Sequence, residues 1–338
     1  MTKKHNNLKR IVRRSLEELR ATYEIAKMTS LTGAFVTLVA KVDIQRMNRN
    51  GYHETDAIRK RLKKKHEVML SYFERQFASF LEQYDFDRHL PDCDPGLRDR
   101  IWLCWWQGEE NAPELVKACT SSVCKNKDEH TVTVITEANY KEYVRIPEWV
   151  EEKYRKGIIS KTHFSDLLRF FLLAEYGGIW LDASIYCTSQ CFDNILNAPI
   201  WSIKRPGYNY ISVASGYFAT YSFACQYEHR RLFMIVRDFL LEYWRNNNIL
   251  IDYLMLDYLI VLAQKKDKST KEVMENVVPN NPACDELLKV LDKPFDECLW
   301  EQMKKETFLF KLTWKKEFPE SVDGIETFYG RMKSGTLL

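Results

Sequence analysis

Residues 163–186 constrain this chain more than any other stretch. The first part carries Phe164, Leu167, Leu168, Phe170, Phe171, Leu172 and Leu173, so apolar side chains point in almost every direction around a helix axis. A helix that is apolar all round is buried. Gly177 stands where a C-cap glycine ends such a helix, and residues 179–186 continue as an apolar run suited to a buried strand. Two further strands precede this unit. Ile101-Trp102-Leu103-Cys104-Trp105-Trp106 is continuously apolar, and Thr131-Val132-Thr133-Val134-Ile135-Thr136 alternates and is rich in β-branched residues. Between them, Asn111-Ala112-Pro113 opens a helix that reaches Cys124, with proline in its first turn. Strand, helix, strand, helix, strand predicts an α/β fold with parallel pairing.

A different pattern precedes this alternation. From Leu8 to about Leu90 breakers are few, and Leu8, Ile11, Val12, Leu16 and Leu19 fall at helical spacing. Pro91-Asp92-Cys93-Asp94-Pro95-Gly96 then reads as a linker. The expected organisation is a basic helical region over 1–95 followed by an α/β domain over 96–338. Charge supports the division. Residues 1–65 hold 17 Lys and Arg against 6 Asp and Glu, a net +11, which leaves −8 for the remainder of a chain whose total is +3. A basic head on an acidic body suits an anionic partner, an anionic membrane among them, although a solvated helical face accounts for it as well. Nucleic acid is not expected, because the basic region lacks interleaved aromatics and a reading helix. The apolar run from Ser30 to Ala40 is about half the roughly 20 residues needed to cross a bilayer, but it can rest at an interface. Polar, basic residues from Met1 to Arg20, with nine cysteines and no C-x-x-C pair, lead to an expectation of a reducing cytoplasm and no zinc site.

Charged residues in a buried helix need partners. Asp166 and Arg169 are three apart and share a face. They form either a structural ion pair or a polar clamp on sugar hydroxyls or phosphate, for which a guanidinium fork is suited. Gly177-Gly178 permits a sharp turn and close backbone approach. Asp182 stands at the carboxyl end of an apolar strand, where α/β sheets place ligand sites. It can serve a divalent cation there, or simply cap a turn if Ala183-Ser184 opens a loop. Residues 308–315 read as a strand with Lys311, Thr313 and Lys315 on one face, open to a phosphate role or to plain half-exposure. His229-Arg230-Arg231 precedes a periodic helix to Trp244. Another helix is predicted over 251–261, with Asp252 and Asp257 as candidates to face an acceptor.

The order S-D-x-x-R, helix, G-G-x-x-x-D-x-[DST] resembles glycosyltransferases that share the sugar-binding DxD region. Among these the chain is most similar to the bacterial capsular polysaccharide synthesis protein family. The resemblance rests on Trp105-Trp106-Gln107-Gly108-Glu109-Glu110-Asn111-Ala112-Pro113, Asn139-Tyr140-Lys141-Glu142-Tyr143, Ser165 to Arg169, and Gly177 to Ser184, in that order, over roughly residues 98–320. It implies a GT-A (Rossmann-like) fold and a nucleoside diphosphate sugar donor, UDP-sugar favoured. It also implies Mn²⁺ or Mg²⁺ and, in most related enzymes, retention of anomeric configuration.

By the same resemblance Asp166, Arg169 and Asp182 are the candidate catalytic residues, the first two holding the donor sugar and Asp182 contacting ribose and metal. Trp105 and Gln107 would lie near the nucleobase, and Ser165, Gly178 and Lys311 would complete the donor site. Asp182 and Ser184 would be the metal positions. Ser184 departs from the pattern, because it takes the place of the second acidic residue. The implied activity is transfer of a hexosyl unit to a surface polysaccharide or lipid-linked acceptor, with the basic helices at the inner face of the plasma membrane. The alternatives are a transferase acting on protein side chains and a non-catalytic nucleotide-sugar-binding protein.

Overall fold

The computed structural model describes residues 2–89 and 92–337. The chain opens with four helices, α1 (Thr2–Met28), α2 (Leu31–Arg49), α3 (Asp56–Gln76) and α4 (Ala78–Gln83). Ser30 and Thr55 cap α2 and α3, their hydroxyls accepting from Gly33 and Ile58 N–H. The side chains of Leu8, Ile11 and Val12 and the linker residue Pro91 lie outside the described residues. The alternating part follows as β1 (Ile101–Cys104), α5 (Glu114–Lys125), β2 (Val132–Ile135), α6 (Tyr140–Tyr143), α7 (Glu148–Arg155), α8 (Lys161–Tyr176) and β3 (Gly178–Leu181). Then come β4 (Ile185–Cys187), α9 (Phe192–Leu196), β5 (Ile200–Ser202), β6 (Ser222–Cys225), α10 (Arg231–Asn246), α11 (Met255–Lys266) and α12 (Lys268–Glu275). The chain closes with α13 (Glu286–Val290), α14 (Glu297–Lys304), β7 (Leu309–Lys311), β8 (Ser321–Val322), β9 (Ile325–Glu326) and α15 (Phe328–Ser334).

Five strands form one mixed sheet in the order β2-β1-β3-β6-β5. Strand β1 pairs in parallel with both β2 and β3, as the strand-helix alternation predicts. Strand β6 runs antiparallel to β3 and to β5, so it alone opposes the other four. The arrangement is a mixed α/β fold consistent with a Rossmann-like plan. Because β1, β2 and β3 run together, Cys104, Ile135 and Leu181 all end at one edge of the sheet. Residues immediately after them, Trp105, Thr136 and Asp182, are gathered there by the backbone.

Helix α8 is buried as its composition requires: Leu167, Leu168, Phe170, Leu172 and Leu173 are fully inaccessible. Truncating any of them to alanine costs about 2–5 kcal/mol. Gly177 ends the helix with φ +68°. Gly178 takes φ +86°, and a Cβ there would stand 2.4 Å from the Arg100 carbonyl oxygen. The close approach it permits is thus to β1, which lets Ile179 N–H donate to that carbonyl at 2.8 Å.

Two strand expectations need correction. Residues 179–186 do not form one strand. Strand β3 stops at Leu181, and a turn closed by Ile185 N–H donating to the Asp182 carbonyl at 2.9 Å redirects the chain into β4. Strand β4 pairs with β7 outside the main sheet. Likewise, only Leu309–Lys311 of the run 308–315 is strand, so Lys311, Thr313 and Lys315 share no face, and Lys315 is exposed beyond it. The helix expected over 251–261 begins later, at Met255, and Asp252 accepts from Leu254 N–H in the turn before it.

The N-terminal helices share a core with the α/β part. Val68, Met69, Tyr72, Phe73 and Phe77 lie in one apolar cluster with Phe239, Tyr243 and Tyr258 of α10 and α11. Phe77 stacks on Phe239 at 5.2 Å between ring centroids. All nine cysteines are free thiols. Among the described residues, no helix is long and apolar enough to cross a membrane.

Candidate functional site

Asp182 is the hub of a polar cluster at the carboxyl edge of β3. The β3–β6 pairing continues one step past the strand, Asp182 N–H donating to Tyr221 C=O at 2.9 Å, and this fixes the residue's backbone. Its Oδ1 accepts from Arg169 Nη2 at 3.0 Å and from Trp180 Nε1 at 3.2 Å. Its Oδ2 accepts from Lys311 Nζ at 2.9 Å. Arg169 reaches back to Asp166 Oδ1 at 3.1 Å, and His163 Nδ1 lies 3.2 Å from the other oxygen of Asp166. The spacing of three along α8 therefore places His163, Asp166 and Arg169 on one face, turned towards the strand end. The Arg169 guanidinium also lies over the Trp180 ring, 5.0 Å from its centroid.

Burial alone would raise the Asp182 carboxyl, but Lys311 and Arg169 beside it hold it below the ordinary aspartate value. Arg169 is itself buried, and its Nε has no protein partner among the described residues. An unsatisfied buried donor is costly unless something binds it.

Lys311 arrives from far along the chain. The β4–β7 register sets Lys311 opposite Ile185, and Leu312 N–H donates to Ser184 C=O at 2.9 Å. The turn at 182–185 is thereby pressed against β7. Lys311 Nζ donates to Ser184 Oγ at 2.9 Å as well as to Asp182.

The remaining expected residues fall into two groups. Trp105 packs on Ala112, Val116 and Ala183, and meets Trp314 edge-on at 5.5 Å, so it lines the same edge. Ser165 lies beside the Cys104 thiol at the end of β1, which burial pushes up to about 12 despite the hydroxyl's opposing pull. Gln107 follows β1, exposed. Gly178 is not brought to the cluster, for it begins β3 at the strand's other end. Asn139 serves the loop after β2, holding Thr136 N–H at 2.8 Å and Val134 C=O at 2.9 Å.

Asp252 and Asp257 separate sharply. Asp252 faces the N-terminal helices, 2.9 Å from Lys65 Nζ, and is no acceptor-side residue. Asp257 is buried, takes a hydrogen bond from Ser212 Oγ, and feels the charges of Asp166 and Arg169. Burial, with Asp166 adding to it against the Ser212 bond, pushes its carboxyl up to about 6.

Sequence reasoning named Asp257 only as a candidate to face an acceptor, and missed His163, Trp180 and Tyr221 as members of this neighbourhood. Helical spacing could have found His163, and the two-residue strand period could have found Trp180. Nothing local points to Tyr221.

The cluster does not fit a resident divalent cation. Such an ion takes about six oxygen ligands, yet Asp182 is the sole carboxylate at the turn, and both candidate oxygens, Asp182 Oδ2 and Ser184 Oγ, already accept from Lys311. Among the described residues, no group of three or more His, Cys, Asp and Glu side chains could hold a metal. A cleft of about 620 Å³ lined by Arg98, His130, Asp193 and Tyr227 lies at the opposite, amino edge of the strands. Ligands of open α/β sheets bind at the carboxyl edge, so the Asp182 cluster is the better candidate.

Fold and site together define a mixed α/β protein with a charged, partly open cluster at the carboxyl edge of its parallel strands. Residues 49–332 match the family model described as capsular polysaccharide synthesis protein. The chain belongs to that family, and membership points to a biosynthetic enzyme with a role in capsule formation. No curated protein and no solved structure matches the chain.

Proposed function

We propose that this chain is a GT-A glycosyltransferase that moves a hexosyl unit from a nucleoside diphosphate sugar, a UDP-sugar first among the candidates, to a capsular polysaccharide or lipid-linked acceptor. The observation that carries the reading is the Asp182 carboxylate shared by Arg169 and Lys311 at the carboxyl edge of β3. Two cations and a hydrogen-bonding carboxylate there suit a donor that presents both a diphosphate and sugar hydroxyls. Asp166 and Arg169 would hold the sugar, and Trp105 would flank the base beside Ala183.

In the transfer, the bond from the anomeric carbon to the phosphate oxygen breaks. The acceptor oxygen bonds to that carbon on the same face, and its proton passes to the leaving phosphate. No protein nucleophile is required, so the enzyme contributes positioning and charge stabilisation. Asp257 and Tyr253, beside Asp166 on the α11 side, form the acceptor wall in this reading.

The basic helices supply the location. Helix α1 exposes Leu16, Leu19 and Tyr23 on one face, and α2 exposes Leu31 and Phe35. Apolar side chains presented by a segment of net +11 suit the anionic inner face of a plasma membrane, where lipid-linked acceptors reside. Thermal-shift titration with UDP-, GDP- and CMP-sugars tests the donor class. One nucleoside diphosphate series should raise the melting temperature in wild type and not in Arg169→Met; no shift with any donor contradicts the proposal.

A further inference from the structure

The turn at 182–185 departs twice from what a divalent-cation site needs, and the two departures compensate. Where the resembling pattern allows a second carboxylate, this chain has the Ser184 hydroxyl. Where an ion would sit, between Asp182 Oδ2 and the side chain two residues on, stands the ammonium of Lys311, 2.9 Å from each. Charge balances in both versions: a dication faces two carboxylates, and a monocation faces one carboxylate and a neutral hydroxyl. The lysine is placed by backbone pairing rather than by a flexible reach, because Ile185 pairs with Lys311 and Leu312 N–H closes on Ser184 C=O.

We propose that the Lys311 ammonium is the built-in cation of this site, standing between Asp182 and Ser184 in place of Mn²⁺ or Mg²⁺ and facing the diphosphate of the donor. An ammonium carries three N–H donors. Two are taken by Asp182 and Ser184, and among the described residues no third acceptor is within hydrogen-bonding reach, which leaves one proton for a phosphate oxygen. The Tyr221 ring lies beside the group, its centroid 5.0 Å from Nζ. The inference rests on the nucleotide-sugar reading for the identity of the anion, but not for the exclusion of metal.

Mn²⁺ titration followed by electron paramagnetic resonance, with no nucleotide present, separates the two. Wild type should take up no Mn²⁺ that Asp182→Asn removes. The double variant Lys311→Ala/Ser184→Asp should bind one Mn²⁺ per chain. In parallel, UDP affinity of wild type should be equal in Mn²⁺ and in EDTA, and Lys311→Met should weaken it about tenfold, the scale of one charge-assisted hydrogen bond. A wild-type Mn²⁺ site lost in Asp182→Asn overturns the inference, and so does UDP binding that EDTA abolishes. Absence of UDP binding under every condition overturns the transferase reading instead, while the wild-type Mn²⁺ titration, which needs no variant to fold beyond Asp182→Asn, still decides the role of Lys311.

Discussion

At Asp252 and at Asp182 a carboxylate meets a lysine ammonium at 2.9 Å, but the two pairs live in different surroundings. Lys65 and Asp252 keep 1% and 3% of their side-chain surface, and Lys41, Tyr258 and Leu254 N–H close the shell around them. His66 Nε2–H donates to Tyr210 C=O and its Nδ1 accepts from the Tyr258 hydroxyl, and burial with Lys65 nearby pushes its pKa down to about 4. Every charge there has an internal counter-charge, Asp252 Oδ2 meeting Lys65 as an ion pair without hydrogen-bond geometry, and the pair ties α3 to the turn before α11. At the other cluster Asp182 and Lys311 keep 31% and 23% of their side-chain surface, so both reach solvent. The first arrangement is complete without a ligand; the second is preorganised and unfinished. That difference, rather than the presence of an ion pair, is what separates a structural cluster from a binding site in this molecule.

Substitutions should divide along the same line. Lys65→Met leaves Asp252 buried without its closest partner, and should lower stability by about 3–5 kcal/mol, read by urea denaturation. Adding Asp252→Leu should recover much of that loss, since a buried pair exchanged for apolar side chains is often neutral. Donor affinity per folded molecule should not move in either variant. The lowered Asp252 pKa makes the pair's contribution full above the unfolded value of 3.8 and lost as pH falls below it.

Asp182→Asn should behave in the opposite way. Turnover should fall about 10²- to 10³-fold, the scale of one preorganised electrostatic group, with a melting temperature close to wild type.

Asp257 sharpens the contrast because its shift has the reverse sign. Its folded pKa of about 6 lies above the unfolded 3.8, so the folded chain keeps a proton that the unfolded chain releases. Stability therefore falls as pH rises from about 4 through about 6 and is flat above that. Asp257→Asn should remove this slope and raise stability at pH 7.5 by up to about 3 kcal/mol. A buried carboxylate that costs stability at neutral pH is what a functional position looks like. No gain on substitution would return Asp257 to the structural group.

The smallest effect concerns the helices. Binding of the full chain to vesicles containing phosphatidylserine should weaken as salt rises, because exposed charges are screened. Phe35→Ser combined with Leu19→Ser should reduce it several-fold, whereas unchanged binding would leave the basic segment as a solvated face.

Much of this architecture was legible in the chain because burial leaves a local mark. Apolarity all round α8, the β-branched alternation of β2 and the glycine after Tyr176 each follow from sequence-adjacent physics. The i, i+3 spacing likewise put Asp166 and Arg169 on one face. What was not legible depends on contacts across the fold. Ile-Trp-Leu and Ile-Tyr-Cys are equally apolar, so nothing in them says that the chain changes sheets at Asp182. Lys311 meets Asp182 across 129 residues. Asp252 and Asp257 sit five residues apart in similar company, and only tertiary packing gives one a lysine and the other a serine.

The most direct test of the central claim is turnover of a nucleotide-sugar panel by wild type and Asp182→Asn at matched folded fraction. The account predicts that wild type consumes one nucleoside diphosphate sugar, releasing the nucleotide, and that Asp182→Asn, fully folded, does so at least a hundredfold more slowly. Consumption of no donor by the folded wild-type chain, or equal turnover by both proteins, would contradict it.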